Sequence, residues 1–424
     1  MKVLMFGWEF PPHLSGGLGT ACFGLTKGLA HRKVDITFVL PRLLPNAPDS
    51  HVKLIGANRV RVRAGKRNFR DRVKLIDVDS PLMPYLSGDE YVVLLESLKR
   101  QTPPEKQAVE VEEDVPIPDN YGSDLMSEIV RYSIVAATIA RNRKFDVIHA
   151  HDWMTFLAGI EAKRASGRPL VVHVHSLEYD RSGDPPNQNI YDIERAGMLA
   201  ADMIIAVSHY TKDIIVKKYG ILESRVRVVH NAVSQENRLR EFKIRRPFKE
   251  KIVLFLGRLT SQKGPDYFLD AARKVIGQIR NVRFVMAGGG DMFPRMVDRM
   301  AMLRLGEYFH FTGFLRGADV ERMYAMSDVY VMPSVSEPFG ITPLEAMVYN
   351  VPVIVSKQSG VAEILDHAIK VDFWDVDALA ESIIKVLTDR EFAKAMVEGS
   401  SKQLSMIKWE LAADEVLSVY NELV

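Results

Sequence analysis

Two cations, five residues apart, are the clearest candidates for chemistry in this sequence. Arg258 and Lys263 lie between an apolar run that predicts a buried strand and a helix that can begin at Pro265. Arginine can bind two oxygens of one phosphate group, lysine adds a point charge, and the free amides at a helix start attract anions. The pattern therefore favours a phosphate-binding loop, although two solvated residues of an ordinary loop would look the same.

Two carboxylates form a second candidate group. Glu337 lies just beyond a predicted strand, and Glu345 lies in the first turns of the next predicted helix, so both can face one cleft. Between them, the backbone amides of Phe339 and Gly340 can approach a ligand closely because Gly340 has no side chain. For Glu345 a second interpretation stays open, since an acid near a helix start also interacts favourably with the helix dipole.

Glycine-rich loops follow a predicted strand in each half of the chain. Gly16 and Gly17 belong to the stretch Ser15–Thr20, which opens a helix. It does not match a dinucleotide-binding fingerprint, because Cys22 stands where a third small residue belongs and the turn is too long. Gly288–Asp291 is a similar loop in the second half. We interpret both as flexible loops that face a phosphate group.

Four histidines occur as two pairs at the ends of predicted strands. His149 and His151 precede Asp152, and His173 and His175 follow on the next strand. Alternate residues of a strand lie about 7 Å apart, and no third ligand is spaced nearby to complete a metal site. We therefore expect no metal here. One histidine of each pair is expected to hydrogen-bond sugar hydroxyls in a cleft, and its partner to be structural.

Composition restricts the class of protein. A chain of 424 residues exceeds what one core supports, so two domains of about 200 residues are expected. With 56 Lys and Arg against 54 Asp and Glu, the net charge of +2 gives no general attraction for nucleic acid or anionic membrane. A single cysteine, Cys22, excludes an internal disulfide and fits a reducing compartment. Without a signal peptide or an apolar run of spanning length, we expect a cytoplasmic protein.

Apolar runs alternate with amphipathic runs along the first half, which is typical of βαβ units and a doubly wound parallel sheet. The predicted strands are Lys2 to Trp8, Asp35 to Leu40, Asp146 to His151, Leu170 to Ser176, Met203 to Ser208 and Val226 to Asn231. The predicted helices between them include Thr20 to His31, Asp124 to Asn142 and Thr155 to Ser166.

A charged stretch over 234–251 predicts a linker, and a second series of βα units follows it. The second set of predicted strands is Ile252 to Gly257, Val282 to Gly288, Tyr308 to Phe314, Val329 to Ser334 and Val351 to Ser356. Its predicted helices start near Pro265, Met292, Ala318 and Thr342. We therefore expect an N-terminal domain over 1–240, a C-terminal domain over 241–405, and a final helix over 406–424 that packs back on the first domain.

Two segments do not fit the alternation. The stretch 59–74 holds eight Lys or Arg, and its alternation suggests a strand with one basic face. The stretch 102–120 is rich in Pro, Glu and Asp, and predicts a surface loop.

Taken together, the motifs resemble those of the retaining GT-B glycosyltransferases of family 4, and they are similar to those of glycogen and starch synthases. The resemblance covers nearly the whole chain in the family's order. Its motifs are Ser15 to Gly19, Asp146 to Trp153, His175 to Glu178, Ala206 to Ser208, Leu256 to Lys263 and Glu337 to Glu345. In one departure, the chain has Ser359-Gly360-Val361 where the family often has a double glycine, so we carry over no role there.

The resemblance implies a GT-B fold, in which two Rossmann-like domains face a cleft, and a role for each matching residue. Arg258 and Lys263 would neutralise the donor diphosphate, Glu345 would bind the ribose, and Glu337 and His175 would contact the donor sugar. Further residues that it places at the substrates, or in the motifs and loops around them, are Gly16, Gly17, Asp152, Gly289, Phe311, Phe314, Phe339, Gly340 and Ile341.

The resemblance also implies an activity. It is metal-independent, cofactor-free transfer of glucose from UDP- or ADP-glucose to an α-glucan, with retention of anomeric configuration. Transfer to a lipid-linked or cell-surface saccharide is the alternative within the class, for which the basic stretch 59–74 is the one indication. An NAD-dependent dehydrogenase or a nucleotide-sugar epimerase is the alternative from another class.

Overall fold

The computed structural model describes residues 1–11, 16–42, 50–60, 125–235 and 248–424. Within these residues the chain forms two parallel β-sheets with helices packed on them, which confirms the predicted pair of doubly wound α/β domains. No helix among the described residues is both long enough and apolar enough to cross a bilayer. The basic stretch beyond Val60, the stretch 102–120 and linker residues 236–247 lie outside the described residues.

The N-terminal sheet has seven parallel strands in the order β3-β2-β1-β4-β5-β6-β7. Its strands are β1 (Lys2–Phe6), β2 (Asp35–Leu40), β3 (Lys53–Gly56), β4 (Val147–His151), β5 (Leu170–Val174), β6 (Met203–Ala206) and β7 (Val226–Val228). Its helices are α1 (Gly17–His31), α2 (Leu125–Arg141), α3 (Trp153–Ser166), α4 (Glu178–Ser182), α5 (Gln188–Ala200) and α6 (His209–Tyr219). The central strands β4 and β5 are buried along their whole length, as expected when helices cover both faces of a sheet.

The C-terminal sheet has six parallel strands in the order β10-β9-β8-β11-β12-β13. Its strands are β8 (Lys251–Leu256), β9 (Val282–Ala287), β10 (Phe309–Gly313), β11 (Val329–Met332), β12 (Val353–Ser356) and β13 (Ile369–Val371). The helices that follow β8 are α7 (Pro265–Ile276), α8 (Phe293–Met302), α9 (Ala318–Met326), α10 (Thr342–Val348), α11 (Val376–Thr388), α12 (Arg390–Leu404) and α13 (Trp409–Leu423).

Strand order decides where each sheet can bind a ligand. It reverses between β1 and β4 in the first sheet and between β8 and β11 in the second, and such switch points open a crevice at the carboxyl ends of the strands. Gly16 and Asp152 follow the two strands of the first switch point, while Arg258 and Glu337 follow those of the second. The fold therefore brings together loops that are far apart in sequence. The separation is about 140 residues for Gly16 and Asp152 and about 80 residues for Arg258 and Glu337, the length of several βα units.

The last helix, α13, packs on α1 of the N-terminal domain. Trp409 lies against Gly24 and Gly28, where any larger side chain on α1 would overlap its indole ring or backbone. Arg32 of α1 also binds Asp414 through two hydrogen bonds of 2.6 and 2.7 Å. The buried side chains of α13 therefore belong to the core of the first domain.

Some element bounds differ from the sequence-based expectations. The edge strands β3 and β13 were not predicted, because each has only three or four residues and is recognisable only through pairing with its neighbour. The final helix begins at Trp409 rather than at Met406. The first helix begins at Gly17 rather than at Thr20, so the glycine loop provides the helix N-terminus itself.

Candidate functional site

The loop after β8 is held in one conformation by backbone hydrogen bonds. The amide of Leu259 donates to the carbonyl of Gly289 at 2.7 Å, which ties this loop to the glycine loop after β9. Lys263 ends a short 3-10 helix, and Gly264 then turns the chain into α7 with a φ of +68°. A Cβ at Gly264 would overlap the carbonyl oxygen of Pro333, so the turn requires glycine.

Lys263 and Glu337 form an ion pair across the switch point. The lysine side chain is 23% exposed and the glutamate side chain 9%, so the pair is largely withdrawn from water. Ser334 supports it by donating a 3.3 Å hydrogen bond to Glu337. An ammonium has three donors, and the pair with Glu337 uses one, so Lys263 retains donors for an anion in the crevice.

A hydrogen-bond chain connects Arg258 to the N-terminal domain. The guanidinium of Arg258 lies 3.5 Å from the side-chain oxygen of Gln262, whose amide donates to the carbonyl of Ser336 at 3.1 Å. The hydroxyl of Ser336 donates to Asp180 of α4 at 2.6 Å and lies 2.9 Å from the hydroxyl of Tyr210. Gln262, Ser336, Asp180 and Tyr210 escaped sequence analysis, because nothing in the spacing indicates that they meet.

The turn after Glu337 combines buried and left-handed residues. Gly340 has a φ of +96°, which favours glycine, while Phe339 is buried and its carbonyl accepts a 2.7 Å hydrogen bond from Val361. Ile341 packs against the cores of both domains. This turn is therefore at the boundary between the domains.

Glu345 projects from the first turn of α10 and accepts a 2.9 Å hydrogen bond from the hydroxyl of Tyr324. Burial raises the pKa of its carboxyl group. A carboxylate that is fixed by one donor still has free lone pairs, which suits binding of a diol.

Two further candidate loops follow β9 and β10, on the β8 side of the second switch point. Gly288 has a φ of +141°, and its amide donates to the carbonyl of Gly313 at 2.9 Å. Phe311 is half-buried against Phe293 with ring centroids 5.4 Å apart. Phe314, by contrast, is 54% exposed, and the guanidinium of Arg316 lies over its ring.

In the N-terminal domain, Glu9 accompanies the glycine loop. Its carboxylate accepts a 3.0 Å hydrogen bond from the amide of Gly16, the residue before α1, while Gly17 is the first residue of the helix. Burial raises the pKa of Glu9 to about 7, and the proximity of Arg258 opposes that shift. Sequence analysis missed Glu9, although it is the one acid between the first strand and the glycine loop.

Asp152 fixes the end of β5 from the end of β4. Its carboxylate accepts hydrogen bonds from the amides of His175 at 2.7 Å and Ser176 at 3.2 Å. Asp152 has a φ of +62°, a conformation that costs free energy in a residue other than glycine and that recurs at functional sites. Burial raises its pKa to about 6.

The four histidines lie together, which the sequence-based argument did not foresee. His151 is directly opposite His173 in the β4–β5 register, and nitrogens of His149, His151 and His173 lie within 4.8 Å of one another. The expectation that no third ligand lies nearby was wrong, because the neighbouring strand supplies it. His175, at the end of β5, is the least buried of the four.

Comparison with known proteins finds two family models that match parts of this chain. The model of the family "Glycosyl transferases group 1" matches residues 237–403, and that of "Glycosyltransferase Family 4" matches residues 87–237. The C-terminal part of the chain is therefore similar to group 1 glycosyltransferases, and the part before it to family 4 glycosyltransferases. The comparisons therefore favour this class over the dehydrogenase and epimerase alternatives.

Curated relatives cover the whole chain or its larger part. An uncharacterized glycosyltransferase of Methanocaldococcus jannaschii is 29% identical over 99% of this chain and 98% of its own length. A glycogen synthase of Mycobacterium tuberculosis is 24% identical over 99% of this chain and 94% of its own. An alpha-maltose-1-phosphate synthase of Mycolicibacterium smegmatis is 29% identical over 65% of this chain and 79% of its own.

Solved structures show the same fold. Sucrose-phosphate synthase from Thermosynechococcus elongatus matches with a TM-score of 0.71 at 17% identity, over 100% of this chain and 98% of that chain. Anabaena HepE in complex with UDP and glucose matches with a TM-score of 0.68 at 18% identity, over 100% of both chains. The predicted GT-B fold is thereby confirmed.

Proposed function

We propose that this chain is a glycosyltransferase that moves glucose from a nucleotide sugar to a glucan in the cytoplasm and retains the anomeric configuration. The observation that carries the proposal is the placement of Arg258 and Lys263 at the switch point of the second sheet, with Glu337 paired to Lys263. Two fixed cations beside a carboxylate suit a ligand that joins a diphosphate to a sugar. The 24% identity to a glycogen synthase over 99% of the chain supports a glucan acceptor.

The reaction follows from the charge that develops on the leaving group. The bond between the anomeric carbon and the diphosphate oxygen breaks, and negative charge grows on that oxygen. Arg258 and Lys263 stabilise this charge without reorganising, because hydrogen bonds already hold their loop. A new bond forms between the anomeric carbon and an acceptor hydroxyl on the same face, and the hydroxyl proton passes to the leaving phosphate. No enzymic base and no metal ion are needed.

Other residues bind and orient the donor in this proposal. Glu345 binds the ribose hydroxyls, and Glu337, with the backbone amides of Phe339 and Gly340, binds the sugar. His175 contacts a sugar hydroxyl from the first domain. Burial lowers the pKa of His175 to about 3, so its ring is neutral. Because Nε2 lies 3.1 Å from Nδ1 of His151, Nδ1 is the nitrogen left to contact a hydroxyl group.

Contacts between the domains support exclusion of water from the crevice. Ser208 donates to the carbonyl of Pro338 at 2.6 Å, and Glu363 accepts from the amides of His209 and Tyr210 at 2.9 and 2.6 Å. The first bond joins the residue before α6 to the turn that follows Glu337, and the other two join the start of α6 to the 3-10 helix Gly360–Glu363. Water excluded in this way cannot hydrolyse the activated sugar.

A second candidate acceptor is a small phosphorylated sugar or polyol. The observation that favours it is the set of names among the similar proteins, which include an alpha-maltose-1-phosphate synthase, a D-inositol 3-phosphate glycosyltransferase and a sucrose-phosphate synthase. The donor chemistry would be the same, and only the acceptor would differ.

One experiment tests both candidates. The purified chain is incubated with UDP-glucose, ADP-glucose, UDP-galactose or UDP-N-acetylglucosamine, and release of nucleoside diphosphate is measured with glycogen, with a hexose phosphate, with inositol phosphate and with lipid-linked saccharide in liposomes. Rapid release with a glucosyl donor and glycogen supports the glucan proposal. Release only with a phosphorylated acceptor, or only with liposomes, would make that acceptor the substrate instead of the glucan. If none of the four donors gives release, the proposal of glycosyl transfer by this chain is overturned.

A further inference from the structure

Three buried histidines on the first sheet, His149, His151 and His173, have no part in the proposed transfer reaction. His149 and His151 belong to β4, His173 belongs to β5 and His175 directly follows it, and the rings of each pair stack with centroids 4.2 Å apart. Between the strands, the ring of His173 lies 5.4 Å from those of His149 and His151. Parallel pairing therefore collects four imidazoles in one small volume of the core.

These rings are poorly satisfied as hydrogen-bonding groups. Five of their eight ring nitrogens are buried without a hydrogen-bond partner, namely one each of His149, His151 and His175 and both of His173. A buried polar group without a partner costs about 1 to 3 kcal/mol. Four neighbouring rings share this deficit, and a ligand bound to their nitrogens would relieve it.

The ring nitrogens that do have a hydrogen bond indicate what kind of ligand the others would bind. Nδ1 of His149 lies 2.5 Å from the hydroxyl of Tyr420 on α13, and Nδ1 of His151 lies 3.1 Å from Nε2 of His175. In both rings the opposite nitrogen, Nε2, is the one without a partner. This is the pattern of metal-bound histidine, in which one nitrogen is oriented by a hydrogen bond and the other binds the ion.

We propose that His149, His151 and His173 bind a divalent transition-metal ion, with Zn²⁺ as the best match. Three imidazoles and no carboxylate suit Zn²⁺, Co²⁺, Ni²⁺ or Cu²⁺, whereas Mg²⁺ and Ca²⁺ prefer oxygen. Ligand nitrogens of a tetrahedral zinc ion lie about 3.3 Å apart, as follows from bonds of about 2.0 Å. The three histidine nitrogens lie within 4.8 Å, so rotation of the rings out of their stack completes the site.

The electrostatics of the group agree with this assignment. Burial lowers the pKa of His149 to about 3 and that of His151 and His173 well below its ordinary value. Neutral imidazole is the form that binds metals. Cys22 also lies within 4.8 Å of nitrogens of His151 and His175, so it is a competing ligand that a cobalt titration must distinguish.

The position of the ion indicates a structural role. It would join β4 to β5 just before Asp152 and His175, and through Tyr420 it would fix α13 on the first domain. The ion would then stabilise the N-terminal domain and hold the walls of the crevice in place. This inference does not depend on the sugar donor or acceptor.

Metal content and a cobalt titration test the proposal on the full chain. We expect about one equivalent of zinc in the protein as purified, and visible d–d bands of tetrahedral Co²⁺ when the chelator-treated protein is titrated with Co²⁺. The variant H173Q should bind Co²⁺ at least about tenfold more weakly, the loss that even second-shell changes cause. The exposed His310 of the second domain provides the matched control H310Q, which should bind normally.

The outcomes separate the alternatives. If the wild-type protein holds no metal, gives no Co²⁺ bands and gains no thermal stability from Zn²⁺, the histidine nitrogens do not bind a metal ion and the proposal is wrong. Undiminished binding by H173Q would place the metal on the surface and also overturn it. If H173Q does not fold, the wild-type titration still decides. An intense thiolate-to-cobalt absorption that disappears in C22S would overturn the three-histidine assignment.

Discussion

Replacing Lys263 with alanine tests the central step of the proposed mechanism. The change removes the ammonium that pairs with Glu337 and that would stabilise the leaving diphosphate. A hydrogen bond to a charged group contributes about 1.5 to 3 kcal/mol, and each 1.36 kcal/mol is a factor of ten in rate. The expected loss in kcat is therefore about tenfold to 160-fold, because the contact strengthens as charge develops in the transition state.

The same change also leaves a carboxylate without its cation. The carboxylate of Glu337 is 9% exposed and would keep the 3.3 Å hydrogen bond from Ser334 but lose its counter-ion. Thermal stability should therefore fall as well. The double variant K263A/E337Q removes the unpaired charge and should recover stability without recovering kcat. This comparison separates loss of catalysis from loss of folding.

Release of nucleoside diphosphate at saturating donor measures kcat, and thermal unfolding measures stability on the same samples. Lys274 offers the matched control, since it pairs with Asp377 on the exposed side of α7 and such surface pairs contribute about 0 to 1 kcal/mol. K274A should retain wild-type turnover. Wild-type turnover in K263A, or an equal loss in K274A, would refute the role assigned to Lys263.

Three further predictions concern metal, backbone and pH. Turnover should be equal with and without added Mg²⁺ or Mn²⁺, and stimulation by either ion would contradict catalysis by cations of the protein alone. G264A should lower the free energy of unfolding in urea by more than G220A, because both positions have φ near +69° but only a Cβ at Gly264 meets backbone; equal losses would contradict this. Burial raises the pKa of Asp180 to about 6, so between about pH 4 and 6 the folded chain keeps a proton that the unfolded chain releases, and stability falls as pH rises. D180N should remove up to about 1.4 kcal/mol per pH unit of that slope in denaturation series across the window, and an unchanged slope would contradict the raised pKa.

Candidate site residues could be predicted from the sequence where they occur together in one short motif. Arg258, Lys263, Glu337 and Glu345 occur in short motifs beside predicted strands, and residue type with spacing indicates phosphate and sugar binding. The same loops are the ones that the sheet brings to its switch point. The roles of these residues stay predictions until the variants are measured.

Contacts between distant segments were not predictable in the same way. Glu9 gives no motif of its own, and the chain from Gln262 through Ser336 to Asp180 joins three separate loops. The exposed fraction of Phe314, 54%, could likewise not be inferred from its spacing, and its contact with a substrate stays a prediction. Each case depends on the distance between side chains in space, which spacing in sequence does not contain.

The sequence by itself determined the two α/β domains, because alternating apolar and amphipathic runs record which residues each strand and helix must bury. It also indicated that the loops of Lys263 and Glu337 meet, because loops at the ends of parallel strands come together wherever strand order reverses. Only the tertiary structure decided that His149, His151 and His173 converge. The register of β4 against β5 sets that convergence, and a register depends on the packing of the whole sheet rather than on either strand alone.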